Sequence, residues 1–454
     1  MRNITVRSSA AAPTEIGEGT GLQNGHIDLG CKILSGAKAH NFCLGTNATL
    51  DFGARFIDSV LGDNSKISCC EVVSSLLFPF HEQHHNNSFL IAATIQGQCN
   101  VGAGATMGSN HNSRAPDSEL LAGRGLWPGL CVNLKNPTKI ASYCLVAKGS
   151  YHAEMHVPLP FTLISNDEKE NKLQLYPGYW FLHNMYALGR NSWKLLNRDA
   201  KLNEWQQHEY DYLAPDTVEE LFVGLEILEQ WIDRYSEDRE RPQERMYIEP
   251  DGIERSSRGV VVLHIQSGYN AYKEIIHYYG IRTLLHYMRD NNCETFSALK
   301  DALVTAKRES WLNLGGQIFK EKDYQQIIAK IEDGSISTWA ELHSFLKRKA
   351  GEYPLEKAGH ALASLLSLHK TDIASLTEDA WKEWVEAGAR LQNQILSRTV
   401  RSRGKDYQNE FRRMMYESDA DMNEVVGDPD DNPFIRALKE ETEELSRLAE
   451  RFQT

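Results

Sequence analysis

Apolar residues recur every six positions over the first quarter of the chain, and this spacing restricts the fold more than any single residue does. A spacing of six fits neither the 3.6-residue period of a helix nor the 2-residue period of a strand. It fits a coiled parallel sheet in which one short strand and one tight turn take six residues. The spacing is found at Ile16 and Leu22; Leu44, Leu50 and Phe56; Leu61, Ile67 and Val73; and Ile95, Val101 and Met107. Because one coil cannot bury its apolar face alone, several coils must stack, and we predict a parallel β-helix.

The repeat predicts the bounds of the first domain. Residues 1 to about 112 carry the repeat and are rich in Gly, Ala, Ser, Asn and Thr, and the predicted β-helix domain with its cap covers residues 1–165. The 22 residues between Val73 and Ile95 exceed one 18-residue coil by four. We therefore predict a loop insertion at 74–94, and an irregular cap of strands after the last regular coil.

The remainder of the chain has a helical pattern. Residues 166–214 form an aromatic-rich connecting segment, and residues 215–454 are predicted to be an α-helical domain. Thr217, Thr338 and Ser375 each begin a capping-box pattern, with Glu three positions later. The predicted fold class is mixed β and α, with an N-terminal β-helix followed by a C-terminal helical domain.

Composition excludes several classes of partner. The chain has 49 Lys and Arg against 62 Asp and Glu, a net charge of −13, which argues against a nucleic acid or an anionic membrane. We find no apolar run near the roughly 20 residues that span a bilayer, and no secretory signal at the start. The spacing of the eight cysteines fits neither a zinc ribbon nor a small disulfide framework. We expect a cytoplasmic protein that acts on a small molecule.

Several segments resemble a known bacterial family. They are FPFHEQHHNNSFLIAATIQGQCNVGAGATMGSNHNSR (78–114), GRGLWPGLC (123–131), LVAKGSYHAEMHVPLPFTLI (145–164), YALGRNSWK (186–194) and SRGKDYQNEFRRMMYE (402–417). The family occurs in Bacteroidetes and spirochaetes and is assigned to the trimeric hexapeptide-repeat superfamily typified by lipid A acyltransferases. The resemblance implies a left-handed β-helix, a homotrimer and acyl transfer with acyl-CoA as the donor.

A histidine flanked by amides follows the last regular coil. Hexapeptide-repeat acyltransferases use such a histidine as general base, so we predict this role for His111 toward a sugar hydroxyl or an amine. Asn110 and Asn112 are predicted to bind sugar hydroxyls, and Arg114 a phosphate or carboxylate. The alternative is a turn in which His111 caps the coil and the asparagines adopt left-handed conformations.

A second histidine cluster lies within the predicted loop insertion. His84 and His85 are predicted to assist His111 in catalysis. Together with His81 and His111 they offer imidazoles for a divalent metal such as zinc, with a position left open for water. The alternative is a polar loop with solvated histidines.

A third group of residues is predicted to form a substrate-binding wall. Arg124 lies in a glycine-rich turn, Trp127 lies beside a proline, and Lys148 ends a predicted strand. Arg190 and Trp193 are predicted to complete this wall from the helical half. Structural packing is the alternative for each of them.

Three functions follow from these candidates. The first is an acyltransferase-like enzyme acting on a sugar, nucleotide-sugar or amino substrate. The second is a metal-dependent hydrolase or hydratase that uses the histidine cluster. The third is a trimeric scaffold or ligand-binding protein without catalytic activity.

Overall fold

A parallel β-solenoid of about 9 turns occupies residues 2–164, and an α-helical region follows it, which confirms the predicted fold class. The solenoid has the form of the predicted left-handed β-helix. The computed structural model describes residues 1–109, 118–202, 204–236, 252–304, 306–428 and 431–452.

The strands of the described residues are numbered in chain order. They are β1 (Arg2–Val6), β2 (Glu15–Ile16), β3 (Gly21–Ile27), β4 (Lys32–Ile33), β5 (Lys38–Leu44), β6 (Thr49–Asp51), β7 (Arg55–Leu61), β8 (Lys66–Ser68), β9 (Glu71–Leu77), β10 (Glu82–Gln83), β11 (Phe89–Ile95), β12 (Thr106–Ser109), β13 (Leu120–Ala122), β14 (Trp127–Pro128), β15 (Val132–Lys135), β16 (Thr138–Ile140), β17 (Leu145–Val146), β18 (Gly149–Tyr151), β19 (Met155–Val157), β20 (Leu163–Asp167), β21 (Lys172–Tyr176), β22 (Gly259–Val262), β23 (Trp311–Leu314) and β24 (Gln317–Lys320).

The helices of the described residues are numbered in the same way. They are α1 (Tyr179–His183), α2 (Met185–Arg198), α3 (Pro215–Ser236), α4 (Ile265–Asp290), α5 (Phe296–Ala302), α6 (Glu321–Glu332), α7 (Trp339–Leu368), α8 (Glu378–Gln408), α9 (Glu410–Arg413), α10 (Asp419–Val426) and α11 (Pro433–Glu450). Within this part of the chain, no helix combines the length and apolar character needed to cross a membrane.

Each regular coil has three sides, and one of its corners is a single residue. The seven-residue strands β3, β5, β7, β9 and β11 pair in parallel and supply two of the sides. They bend at their fourth residue, which has a positive φ in every case: Asn24, Asn41, Asp58, Ser74 and Ala92. The short strands β2, β4, β6, β8 and β10 form the third side.

The predicted inward residues are buried, except for Ile16 and Val73, which are partly exposed. Leu44, Leu50, Phe56, Leu61 and Ile67 are all fully buried inside the solenoid. In β9, however, Val72 is fully buried, whereas the predicted Val73 is partly exposed. Because the one-residue corner shortens one side, equivalent residues such as Asn24 and Asn41 are 17 positions apart rather than 18.

Two predictions about irregular segments differ from the structure. Residues 74–94 contain no large excursion, because β11 pairs with β9 and β10 pairs with β8. Only the turn at residues 84–88 is longer, by two residues, than the corresponding turn of the preceding coil. Parallel pairing also continues beyond residue 112 as far as β20, so the residues predicted to form a cap belong to the solenoid itself. The pairing of β12 with β15 shifts register between Met107 and Ser109. The antiparallel strand β21 then ends the solenoid, and β22 from the helical region pairs with it.

The predicted helix starts are partly confirmed. Thr338 forms the predicted capping box with Glu341 at the start of α7. The N-cap of α8 is Thr377 rather than Ser375. α3 already begins at Pro215, so Thr217 lies inside its first turn, where its hydroxyl accepts a hydrogen bond from the Ala214 amide.

A ladder of amide side chains stabilises the one-residue corner. Asn3 donates to Asn24 over 3.1 Å, Asn24 donates to Asn41 over 3.1 Å, and Asn41 donates to Asp58 over 2.7 Å. Asn and Asp tolerate the left-handed conformation better than other side chains do. The corner therefore combines local conformational preference with hydrogen bonding between coils.

Asn41→Val tests the cost of this corner. A β-branched residue at φ 50° is strained, and we expect the free energy of unfolding to fall by about 1–2 kcal/mol or more in urea denaturation. Asn41→Gly is the matched control, because it accepts the backbone conformation and loses only the exposed ladder bonds. Equal stability of the two variants would contradict the assigned strain.

Candidate functional site

A cavity of about 360 Å³ lies between residues 209–212 and helices α2, α4, α7, α8 and α11. We call it the junction cavity, because residues 209–212 connect the solenoid half to the helices. Its volume falls in the range of roughly 300–1,000 Å³ that small-molecule sites occupy. Apolar side chains line one part: Met185, Trp193, Leu196, Ile395, Phe434 and Leu438. Polar side chains line the other: Glu209, Asp211, Tyr212, Arg282, Lys357, Thr399 and Glu441.

The start of α11 fixes the aromatic wall of the junction cavity. Pro433 occupies the first turn, and the Asn432 side chain accepts hydrogen bonds from the next two amides, including that of Phe434. The Phe434 ring lies 6.2 Å from that of Trp193, centroid to centroid. A Cβ on Gly189 of α2 would lie 2.8 Å from the Phe434 ring, so glycine leaves the space that this ring needs.

Ion pairs hold the polar part of the junction cavity. Arg282 donates to Asp211 over 2.5 Å and to Glu441 over 2.7 Å, and Lys357 donates to Glu209 over 2.7 Å. Burial disfavours the ionised form of Asp211, but the charges of Arg282 and Lys357 outweigh burial and lower the pKa of this carboxyl. The ionised form of Asp211 is therefore favoured beside Arg282.

Several polar atoms of the junction cavity remain available to a ligand. Thr399 Oγ1 is fully buried and has no hydrogen-bond partner among the described residues. Three further polar atoms of the cavity make no hydrogen bond within the described residues: Arg282 Nη2, the Tyr212 hydroxyl and Glu441 Oε2. The cavity thus presents three unused donors and one unused carboxylate oxygen beside an aromatic wall.

Arg124 is not a substrate-binding residue, contrary to our prediction. It is 1% exposed and makes a bidentate ion pair with Asp216 of α3, both bonds being 2.8 Å long. Its remaining terminal nitrogen, Nη1, donates to the carbonyl oxygen of Asp211 over 2.9 Å. Arg124 therefore joins the solenoid to α3 and to the rim of the junction cavity, and its donors are used within the protein.

The other members of the predicted wall lie in separate places. Trp127 packs against the buried Trp180, with 5.7 Å between ring centroids. Lys148 is exposed and lines a different cavity of about 500 Å³, which also includes His152 and Arg258. Arg190 is exposed, whereas Trp193 lines the junction cavity. The structure does not bring these side chains into one wall.

The predicted histidine cluster is divided between the inside and the outside of the solenoid. His81 is fully buried, its Nε2 lies 3.1 Å from Gln83 Oε1, and burial lowers its pKa to about 4. His84 and His85 are on the surface with ring centroids 4.4 Å apart. His81 therefore cannot join the others around one metal ion. Among the described residues, no three Cys, His, Asp or Glu side chains are grouped as metal ligands.

The remaining predicted site residues, Asn110, His111, Asn112 and Arg114, lie outside the described residues. The strands that flank them, β12 and β13, pair with the two halves of β11. β11 itself bends at Ala92, between these two halves. His84 and His85 lie at a different corner, between β10 and β11. The catalytic role of His111 stays a prediction.

A buried histidine links the solenoid to the segment that leads into the junction cavity. His208 lies 3.5 Å from Asp63 and 3.7 Å from Asp199. Asp199 also accepts hydrogen bonds from Tyr210 and from Asn64, which itself accepts one from Asn47 of the preceding coil. Burial lowers the pKa of His208, but its interactions with both aspartates outweigh burial and raise the pKa to about 9.

The comparisons with known proteins define the class to which the chain belongs. Residues 1–232 match the profile of a family described as Domain of unknown function (DUF4954), and residues 291–454 match Domain of unknown function (DUF6819). Since the first match covers more than half of the chain, the protein belongs to the DUF4954 family.

One relative is a protein of Treponema pallidum (strain Nichols), described as an uncharacterized protein. The two are 39% identical over 468 residues, which cover 100% of this chain and 64% of the relative. The chain thus spans less than two thirds of the relative's length. A spirochaete relative agrees with the predicted resemblance, whereas membership of the hexapeptide-repeat superfamily stays a prediction.

The sequence reasoning missed most of the junction cavity. Arg282, Lys357, Thr399 and Glu441 belong to four different helices and form no motif along the chain. One sequence signal pointed to Arg282, because it directly follows the largely apolar run IIHYYGI (275–281), which is buried throughout in α4. A cation within such a helix requires buried partners.

Arg124→Met tests the buried ion pair. It leaves the Asp216 carboxylate without its cation, and we expect the free energy of unfolding in urea to fall by about 3–5 kcal/mol. The double variant Arg124→Met with Asp216→Leu removes both charges and recovers part of this loss. Arg190→Met, at an exposed arginine, serves as the control with little effect. A single variant as stable as the parent would contradict the assigned role.

His208→Gln tests the histidine bridge through pH. A folded pKa near 9 exceeds the unfolded value near 6.5, so the stabilisation is fully present below pH 6.5 and is lost as pH rises through 9. The unfolding free energies of parent and variant should differ by an amount that is on the order of 3 kcal/mol larger at pH 6 than at pH 10. A difference that stays constant with pH would refute the bridge.

Proposed function

We propose that the protein binds a small molecule in the junction cavity, which corresponds to the ligand-binding alternative among the predicted functions. The observation that carries the proposal is the hydroxyl of Thr399, which is buried without a partner and lines the cavity. Leaving such a group unsatisfied costs about 1–3 kcal/mol. A ligand with a hydrogen-bond acceptor would recover this energy while its apolar part packs against Trp193 and Phe434.

The other two functions have less support. The acyltransferase hypothesis depends on His111, which lies outside the described residues. The metal-dependent hydrolase hypothesis loses His81, which points into the solenoid. Neither hypothesis draws on the junction cavity.

We further propose that the protein self-associates through the solenoid, as the predicted homotrimer requires. Val60, Leu76 and Leu121 lie in one column of paired strands on the same outer side, with Thr94 between the last two. The three apolar side chains are exposed in the single chain. A second copy packed on this side would cover them, which favours association.

Ala437→Phe tests small-molecule binding in the junction cavity. Ala437 lines the cavity, so the added ring fills space that a ligand needs and leaves every charged residue in place. We expect the neutral dye N-phenyl-1-naphthylamine to bind the parent protein with saturable fluorescence, and the variant at least tenfold more weakly.

Val223→Phe is the matched control for this experiment. It adds the same ring at an exposed position of α3 and should leave dye binding unchanged. The thermal midpoint of each variant monitors folding. Saturable dye binding of equal strength in Ala437→Phe and the parent would refute the proposed site.

A further inference from the structure

We propose that the ligand of the junction cavity is an α-amino acid with an aromatic side chain. This inference rests on the proposed function. It is drawn from the charges and the unused polar atoms of the cavity and from the separation of its polar and apolar parts.

Three unused hydrogen-bond donors of the junction cavity can bind the carboxylate of such a ligand. Arg282 uses Nε for Glu441 and Nη1 for Asp211, which leaves Nη2 for a ligand. The hydroxyls of Tyr212 and Thr399 are the other unused donors of the junction cavity. Charge-assisted hydrogen bonds from arginine to a carboxylate are among the strong ones, and Arg282 is held rigidly by its two acidic partners.

The ammonium group of the ligand has an acceptor. Glu441 uses Oε1 for Arg282, which leaves Oε2 unused among the described residues. The charged residues that line the junction cavity are Glu209, Asp211 and Glu441 against Arg282 and Lys357, an excess of one negative charge. A ligand with only a carboxylate would add to this excess. A zwitterion places its ammonium group beside Glu441 and does not.

The side chain of the ligand has an aromatic site. The rings of Trp193 and Phe434 contact each other at a centroid distance of 6.2 Å and form one wall of the apolar part, which Met185 and Leu438 complete. A third aromatic ring packs favourably against such a wall, edge to face or in an offset stack. A volume of about 360 Å³ suits a molecule the size of one amino acid.

Titration calorimetry on the full chain, with four compounds, tests the inference. L-phenylalanine carries both charged groups, 3-phenylpropionate lacks the amine, phenethylamine lacks the carboxylate, and L-alanine lacks the ring. We expect saturable binding of L-phenylalanine and at least tenfold weaker binding of the other three. Equal affinity for 3-phenylpropionate, for phenethylamine or for L-alanine would overturn the assigned ligand class.

Two variants separate binding from structure. Glu441→Gln keeps the acceptor for Arg282 and removes the charge, so it should weaken L-phenylalanine at least tenfold without weakening 3-phenylpropionate. Thr399→Val removes a hydroxyl that has no partner, so it should raise the thermal midpoint of the free protein while weakening L-phenylalanine severalfold. Glu443→Gln, at an exposed position of α11, is the control and should change neither.

The failure of this inference can be distinguished from the failure of the proposed function. If none of the four compounds binds, while N-phenyl-1-naphthylamine binds the parent and not Ala437→Phe, the ligand class is wrong and the cavity remains a binding site. If the dye also fails to bind the parent, both proposals are refuted.

Discussion

The one-residue corner of the solenoid is the constraint on which the rest of the structure depends. A single residue with positive φ turns the chain from one side to the next, at Asn24 and again 17 positions later at Asn41. Each left-handed residue is costly by itself, but stacking places it directly above its equivalent, where Asn41 donates to Asp58. The corner thus keeps the coils from β3 to β11 in register, and register keeps the aliphatic side chains inside.

The fold class was predictable because the buried side chains form a periodic pattern along the sequence. The register was not, because a single turn residue that shortens a coil produces no such pattern. Leu61 and Ile67 were placed correctly, but a strict period of six put Val73 inside instead of Val72. The loop predicted at 74–94 has a similar origin. Its histidines and asparagines do not look repetitive, yet the backbone accommodates them, since Phe80 and Asn87 take the left-handed conformation at the turns.

The candidate site was less predictable than the fold. Motif reasoning joins residues that are close in sequence, and it therefore favoured the histidines near residues 84 and 111. The junction cavity is formed by helices that are far apart in the chain, and only Trp193 was noted beforehand. Arg124 illustrates the limit: an arginine in a glycine-rich turn is typical of an anion site, but Asp216, 92 positions later, neutralises it.

Asp211 connects the solenoid to the polar part of the junction cavity. Its carbonyl oxygen is anchored to the solenoid through Arg124, while its carboxylate orients Arg282. For the proposed ligand site, the solenoid therefore provides a fixed anchor. Under that proposal, substitutions in α4 or α11 change the ligand preference and leave the coils unchanged, so we expect relatives with the same coils to differ in what they bind.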